Sequence, residues 1–202
     1  MLVPQSDPAR CVVAIAASVG GLNALSVILG GLPADFPAAI AIVMHVSPDH
    51  KSLLVEILKC RTNLQVRQAS TGDVLHHSIV HLAPPNHHLT VASDGVLRLS
   101  SSDAAKINYS RPSAEPLFKS VAEVYGKCAI AVVLTGGDGD GSMGVQIISD
   151  HGGQVIAQDR PTSLDFSMPQ TAINTGDVDF ILPLESIAAK LIGLVGVCGN
   201  EN

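Results

Sequence analysis

Apolar residues in this chain fall into short unbroken runs, and the stretches between them carry a helical repeat. The runs cover residues 11–17 (CVVAIAA), 38–46, 129–134 (AIAVVL), 154–158 and 178–182. Runs of this length, without strict alternation, suit parallel strands buried on both faces. Between them, Gly20-Gly21 opens a helical stretch over 22–29 that Gly30-Gly31 closes. Residues 50–59 place Leu53, Leu54, Ile57 and Leu58 on one helical stripe. Ser113 reads as the cap of a helix running to Tyr125, with Glu115 favourably placed in its first turn. Further helices are predicted over 141–151, stopped by Gly152-Gly153, and over 163–174 and 184–195. Residues 65–69 predict a short strand. The region 78–100 has a different texture: three short β-like pieces, with Ser93-Asp94-Gly95 as a hairpin signal before the last.

Strand and helix patterns that alternate in this way predict an α/β fold, a doubly wound three-layer sandwich with a mostly parallel sheet. The 78–100 region is expected to form a small antiparallel hairpin appendage. Residues 11–195 are expected to make one domain, with 1–10 and 196–202 as terminal tails.

Composition narrows the field. The chain has 202 residues, 47% of them hydrophobic but only 3% aromatic and no Trp, so its core must be Val, Ile, Leu and Ala. The formal net charge is −6 with Lys and Arg scattered, which leaves no basic stripe for nucleic acid. Apolar runs are strand-sized, so no membrane insertion is expected, and the N-terminus lacks the layout of a signal peptide. Cys11, Cys60, Cys128 and Cys198 are far apart in sequence and form no CxxC, which suits reduced thiols in the cytoplasm.

Three of the runs lead into reactive residues. The first ends at Ser18, the second reaches His45, and the third opens into Thr135-Gly-Gly-Asp-Gly-Asp140-Gly. In an open parallel sheet such ends share one edge, where ligands bind. A serine, a histidine and an aspartate there are the parts of a nucleophilic hydrolase. Each residue alone also fits a structural role: Ser18 as a helix cap, His45 as a satisfied strand-end residue, the aspartate loop as a plain turn or an anion-binding nest. An EF-hand is excluded because position twelve from Asp138 is Ser149 rather than Glu. His76, His77, His81, His87 and His88 lack the spacing of a helical metal pair and read as a solvated hairpin, so no metal site is expected. The order Ser…His…Asp and the segment Ala-Ala-Ser-Val-Gly are not those of an α/β-hydrolase.

Several motifs together resemble the catalytic domain of CheB-type protein-glutamate methylesterases. The family's GAS-TGG segment is matched by Ala17-Ser18-Val19-Gly20-Gly21, and its QHM-like strand end by Met44-His45-Val46. APG..H corresponds to Ala83-Pro84-Pro85-Asn86-His87-His88, and RPS…LF.S to Arg111-Pro112-Ser113 with Leu117-Phe118-Lys119-Ser120. LTGMGxDG becomes residues 134–141, and AQ…GMP…A becomes Ala157-Gln158 with Ser167-Met168-Pro169 and Ala172. The resemblance spans about residues 11–195. It implies Ser18 as nucleophile, His45 as general base and Asp140 as the carboxylate that orients it. Backbone N–H groups of Gly137 and Val19 are candidate oxyanion donors, and Arg111 is a candidate substrate contact.

The implied reaction is hydrolysis of glutamate methyl esters, with deamidation of glutamine at the same kind of site, and it needs no cofactor. The implied partner is the cytoplasmic helical bundle of a methyl-accepting chemoreceptor, with other chemosensory proteins beside it. About ten residues precede the first strand, too few for the receiver domain that full-length members carry, which fits a stand-alone esterase or a fragment. Three departures stand out: Val19 replaces a family Thr, Gly137 a Met, and Asp138 a Gly. A carboxylate at 138 is expected to oppose a developing oxyanion unless it points to solvent. These departures also fit a degenerate signalling module that binds without turnover. The glycine-rich turns suggest a nucleotide-binding protein as well, though neither GxGxxG nor GxxxxGK[ST] occurs at a strand-to-helix junction.

Overall fold

The computed structural model describes residues 9–45 and 53–199. Its strands are β1 (Val12–Ala17), β2 (Ala39–Met44), β3 (Gln65–Gln68), β4 (Ile79–Leu82), β5 (Leu89–Val91), β6 (Leu97–Leu99), β7 (Ala129–Val133), β8 (Gln154–Gln158) and β9 (Phe180–Leu182). The helices are α1 (Gly21–Gly30), α2 (Leu54–Lys59), α3 (Ala114–Tyr125), α4 (Ser142–Asp150), α5 (Ser167–Asn174) and α6 (Leu184–Gly199). Residues 46–52, where the second helix was expected to begin, lie outside the described residues.

Seven strands pair in the order β3-β4-β2-β1-β7-β8-β9, all parallel. The chain winds outward from β1 through β2, then returns to β7 on the other side. That reversal falls between β1 and β7, where a doubly wound sheet opens a crevice at its carboxyl edge. The central strands have no polar side because both faces are covered. Val13, Ile15 and Ala17 pack with Leu25 and Ile28 of α1, Leu58 of α2 and Leu191 of α6. Val12, Ala14 and Ala16 pack with Leu117, Phe118 and Val121 of α3 and Val145 and Ile148 of α4. Full burial of each Val, Leu, Ile or Phe side chain among these contributes roughly 1.5–3 kcal/mol relative to exposure.

The antiparallel appendage is smaller than the sequence suggests. Only β5 and β6 form the hairpin, with Leu89 opposite Leu99 and the turn at Ser93-Asp94-Gly95. Ile79–Leu82 instead inserts into the main sheet between β2 and β3. Its imidazole explains the difference. His81 is fully buried, and its Nε2 accepts a hydrogen bond from Arg67 Nε of β3 at 2.9 Å. A strand that carries a neutral buried histidine reads as half-polar although neither face meets water. Burial, then Arg67, push the pKa of His81 down to about 4.

The stripe expected on α2 is also only partly a core contact. Leu58 is buried, while Leu53 and Ile57 are exposed. A third departure concerns the thiols. Cys11 and Cys128 precede the paired residues Val12 and Ala129, so they lie side by side at the amino edge of the sheet. Cys198 at the end of α6 joins them and donates to Lys127 O at 3.5 Å. Cys60 stands apart and exposed.

Candidate functional site

Strand register brings the site together. β1 and β2 pair with Ala17 opposite Met44, and His45 N donates to Ala17 O at 3.0 Å, so Ser18 and His45 are on the next row. Adjacent strands run about 4.8 Å apart. Side chains alternate along a strand, so Ser18 shares a face with Ala14 and Ala16, and His45 with Ala41 and Val43. Both therefore belong to the face covered by α3 and α4. On the other side of β1, Ser18 N donates to Thr135 O at 3.0 Å, which ties the loop after β7 to the same row.

Thr135 works as a strut among three loops. Its hydroxyl donates to Val19 O at 2.8 Å and accepts from Asp165 N at 2.9 Å, while its N–H meets Gln158 Oε1. Gly136 N then donates to Asp165 O, and Met168 N to Gly136 O. A Cβ at Gly136 would collide with Met168 Sδ and lie 2.9 Å from Ser18 Cβ, so only glycine lets this loop close on the serine. Gly20 has φ 79° at the sharp turn into α1, and a Cβ there would lie 2.9 Å from Leu164 Cβ.

Asp140 is buried completely and held from several sides. Ser113 Oγ donates to its Oδ1 at 2.5 Å, Ala114 N to its Oδ2 at 2.6 Å, and Asn108 Nδ2 reaches Oδ1 at 3.4 Å. Oδ2 also meets His45 Nε2 at 2.9 Å. The cap of α3 thus doubles as the clamp on this carboxylate. Asp138 lies on the opposite side of the imidazole, with Oδ2 3.1 Å from His45 Nδ1. That contact is short enough for an ion pair but is not aligned as a hydrogen bond. Burial disfavours charge on His45, yet the two carboxylates outweigh it and raise its pKa to about 9. Asp138 answers in the other direction: despite burial, the imidazole and the Asp140 N–H hold its carboxyl below the usual range.

The structure joins His45 to Asp140 directly. Among the described residues, no hydrogen bond links the Ser18 hydroxyl to either. Val19 and Gly137 lie side by side, since a Cβ at Gly137 would be 3.9 Å from Val19 Cγ2, and neither backbone N–H has a partner among the described residues. Arg111 lines a cavity of about 150 Å³ with His45, Asn86, Lys106, Tyr109, Ser110 and Pro112. Its guanidinium donates to Ala104 O, so part of its capacity goes to holding its own loop. Asp138, expected either near an oxyanion or in solvent, faces the imidazole instead.

Three supporting residues were given no site role by sequence. His88 is buried, bonds Ala105 O through Nε2 and accepts from Ser113 N through Nδ1, which seats the cap that clamps Asp140. Asn108, at φ 49°, bridges Glu115 and Asp140. Glu115 reaches from the first turn of α3 to the N–H groups of Gly141, Met143 and Gly144, which closes the start of α4. The sequence signal was present in His88 and Glu115, both within or beside matched motifs, but their targets lie far along the chain. Among the described residues, no group of His, Cys, Asp or Glu could hold a metal ion, and no helix is long and apolar enough to cross a membrane.

A family model described as CheB methylesterase matches residues 13–191. The chain belongs to the CheB methylesterase family. A protein-glutamate methylesterase/protein-glutamine glutaminase 2 of Anaeromyxobacter dehalogenans is 44% identical over 93% of this chain and 55% of its own length. A Leptospira interrogans protein, named a putative enzyme of the same kind, is 36% identical over 90% of this chain and 93% of its own length. The crystal structure of the Thermotoga maritima CheB methylesterase catalytic domain superposes with a TM-score of 0.87 at 36% identity, covering 92% of this chain and 98% of that one. The chain spans about half the length of the first curated relatives it matches, 55% and 53% of them.

Proposed function

We propose that this chain is a serine hydrolase that removes methyl groups from glutamate γ-methyl esters on methyl-accepting chemoreceptors. The observation that carries the reading is the row shared by Ser18 and His45, with His45 bonded to the buried Asp140. The names of its relatives supply the ester, and their second named activity supplies glutamine deamidation at the same kind of site. Residues 11–195 act as one catalytic domain. The protein works in the cytoplasm on the helical bundle of the receptor, alongside other chemosensory proteins.

In this mechanism Ser18 Oγ attacks the ester carbonyl carbon while its proton passes to His45 Nδ1. Asp140 holds the ring through Nε2 and stabilises the imidazolium. The N–H groups of Gly137 and Val19 take the negative charge that develops on the carbonyl oxygen. The carbon–methoxy bond breaks as His45 passes the proton to the departing methoxy oxygen, which leaves as methanol. Water then attacks the acyl-enzyme by the same route, which frees the glutamate and restores the Ser18 hydroxyl. Arg111 and Lys106 beside the imidazole meet acidic groups near the ester. No cofactor takes part.

A second reading, binding without turnover, is favoured by the missing Ser18–His45 bond and by the carboxylate at Nδ1. Methanol release from a methylated receptor fragment separates the two. The wild-type protein is expected to release methanol and Ser18→Ala to release none above background. Equal release from both proteins would reject a serine mechanism, and none from either would favour the binding module.

A further inference from the structure

A triad base needs two free directions: one ring nitrogen for the orienting carboxylate and the other for the nucleophile. His45 has a carboxylate at each. Nε2 meets Asp140 at 2.9 Å and Nδ1 faces Asp138 at 3.1 Å, so the position required by the Ser18 hydroxyl is occupied. The two aspartates are not equivalent. Asp140 is fully buried and accepts from Ser113, Ala114 and Asn108, so it has nowhere to go. Asp138 is 36% exposed, accepts the Asp140 N–H at 3.2 Å, and touches Nδ1 without hydrogen-bond alignment. One carboxylate is built in, and the other can turn away.

We infer that Asp138 is a positioning residue that competes with Ser18 for His45 Nδ1 and must swing aside before the imidazole can act as base. The inference rests on the esterase reading of this site. Its consequence is electrostatic as well as steric. While both carboxylates face the ring they favour the imidazolium, which cannot accept the Ser18 proton. The other groups around the ring are Lys106, Tyr109 and Arg111 on the loop before α3 and Asn86 after β4. Glu115 and Asp140 act on each other electrostatically, as do Asp138 and Asp165. Lys106 and Arg111 are the cations of that cavity, and Arg111 already donates to Ala104 O. An ester carbonyl seated at Gly137 would crowd Asp138, the next residue of the same loop.

The sign of the pH effect follows. With its pKa at about 9, His45 is protonated at neutral pH and becomes an available base only as pH rises toward that value. Removing the charge at 138 moves this onset to lower pH. The test uses the full chain, wild type and Asp138→Asn, with Asp140→Asn as comparator. Two quantities are measured: the His45 ring titration by NMR, and the pH profile of kcat/KM for methanol release from a peptide carrying a glutamate γ-methyl ester. In Asp138→Asn the ring titration is expected to fall by about 1–2 pH units. The acid limb of kcat/KM should follow it, and the rate at pH 7 should rise about tenfold. A merely structural Asp138 would leave both midpoints where they are, and that result overturns the inference. So would a lowered ring titration with a slower reaction, because it would make Asp138 an aid to the base rather than its competitor. If neither protein releases methanol, the esterase reading fails, while the NMR shift still decides whether Asp138 holds His45.

Discussion

The same central strands meet opposite chemistry at their two edges. At the carboxyl edge β1, β2 and β7 lead to Ser18, His45 and the Asp138–Asp140 loop, with residues such as Asn108 and Tyr109 held at positive φ. At the amino edge β1 and β7 start beside Cys11 and Cys128, packed with Cys198. Both edges collect reactive side chains from distant parts of the sequence. Their environments separate them. Around His45 two carboxylates outweigh burial and favour the charged form, whereas burial above all, then the neighbouring thiols, pushes Cys11 upward and Cys128 to about 11. Thiols so protonated are poor nucleophiles. The two clusters differ in the charge state their surroundings favour: the imidazole is held cationic between carboxylates, while the thiols are held neutral.

The sharpest way to break this contrast is Asp140→Asn. If Asp140 orients His45, kcat/KM for the methyl ester should fall about a thousandfold or more, as when a triad carboxylate is lost. Circular dichroism should still report a folded protein. A loss below tenfold would mean that Asp138, not Asp140, is the orienting carboxylate, and would reverse the assignment of the two aspartates.

Much of this architecture is legible in sequence. Runs such as 129–134 are apolar because both sheet faces are covered, and that condition writes itself into composition. Ser18, His45 and the loop that carries Asp140 are legible for a related reason: each stands at the end of a run, and a parallel sheet collects those ends. What the sequence conceals is the partner of each segment. Ile79–Leu82 looks like appendage because His81 interrupts it, and only Arg67 on the neighbouring strand makes that histidine tolerable inside the sheet. The stripe on α2 was visible, but nothing in it states how little of it would meet the core. Asp138 was visible as an extra charge, yet which way a glycine-rich loop turns it depends on contacts made elsewhere. The amino-edge thiols were read as separate because they are separate in sequence.

Glu115 offers a milder perturbation of the carboxyl edge. Glu115→Ala leaves the N–H groups of Gly141, Met143 and Gly144 without their acceptor in a buried setting. Such a loss costs about 2–3 kcal/mol and lowers Tm by roughly 5–10 °C for a chain of this size. Activity should also drop, because Gly141 follows Asp140 directly. Burial, opposed by those N–H groups, raises the Glu115 carboxyl above its usual value, so the folded state holds this proton more tightly than the unfolded chain and the side chain contributes most to stability at acid pH. Thermal melts of both proteins across mildly acid pH check this: the gap between them should widen as pH falls and shrink as pH rises through the raised pKa. A gap that stays constant would show that protonation of Glu115 is not coupled to folding.

The smallest effect belongs to the amino edge. The Cys198 thiol makes a weak contact with Lys127 O at 3.5 Å beside its neighbouring thiols, at the half-exposed end of α6. Cys198→Ala should therefore lower stability by less than about 1 kcal/mol, since it removes one sulfur from a partly covered position. Methanol release should stay within about twofold of wild type, because every group assigned to the reaction lies beyond the opposite end of β1 and β7. In the unmodified protein a thiol reagent should reach exposed Cys60 before buried Cys11. The informative result would be a change in rate rather than in stability. If Cys198→Ala altered kcat/KM by more than a few-fold, the two edges would be coupled through the strands they share, and their separation into a reactive rim and an inert one would not hold.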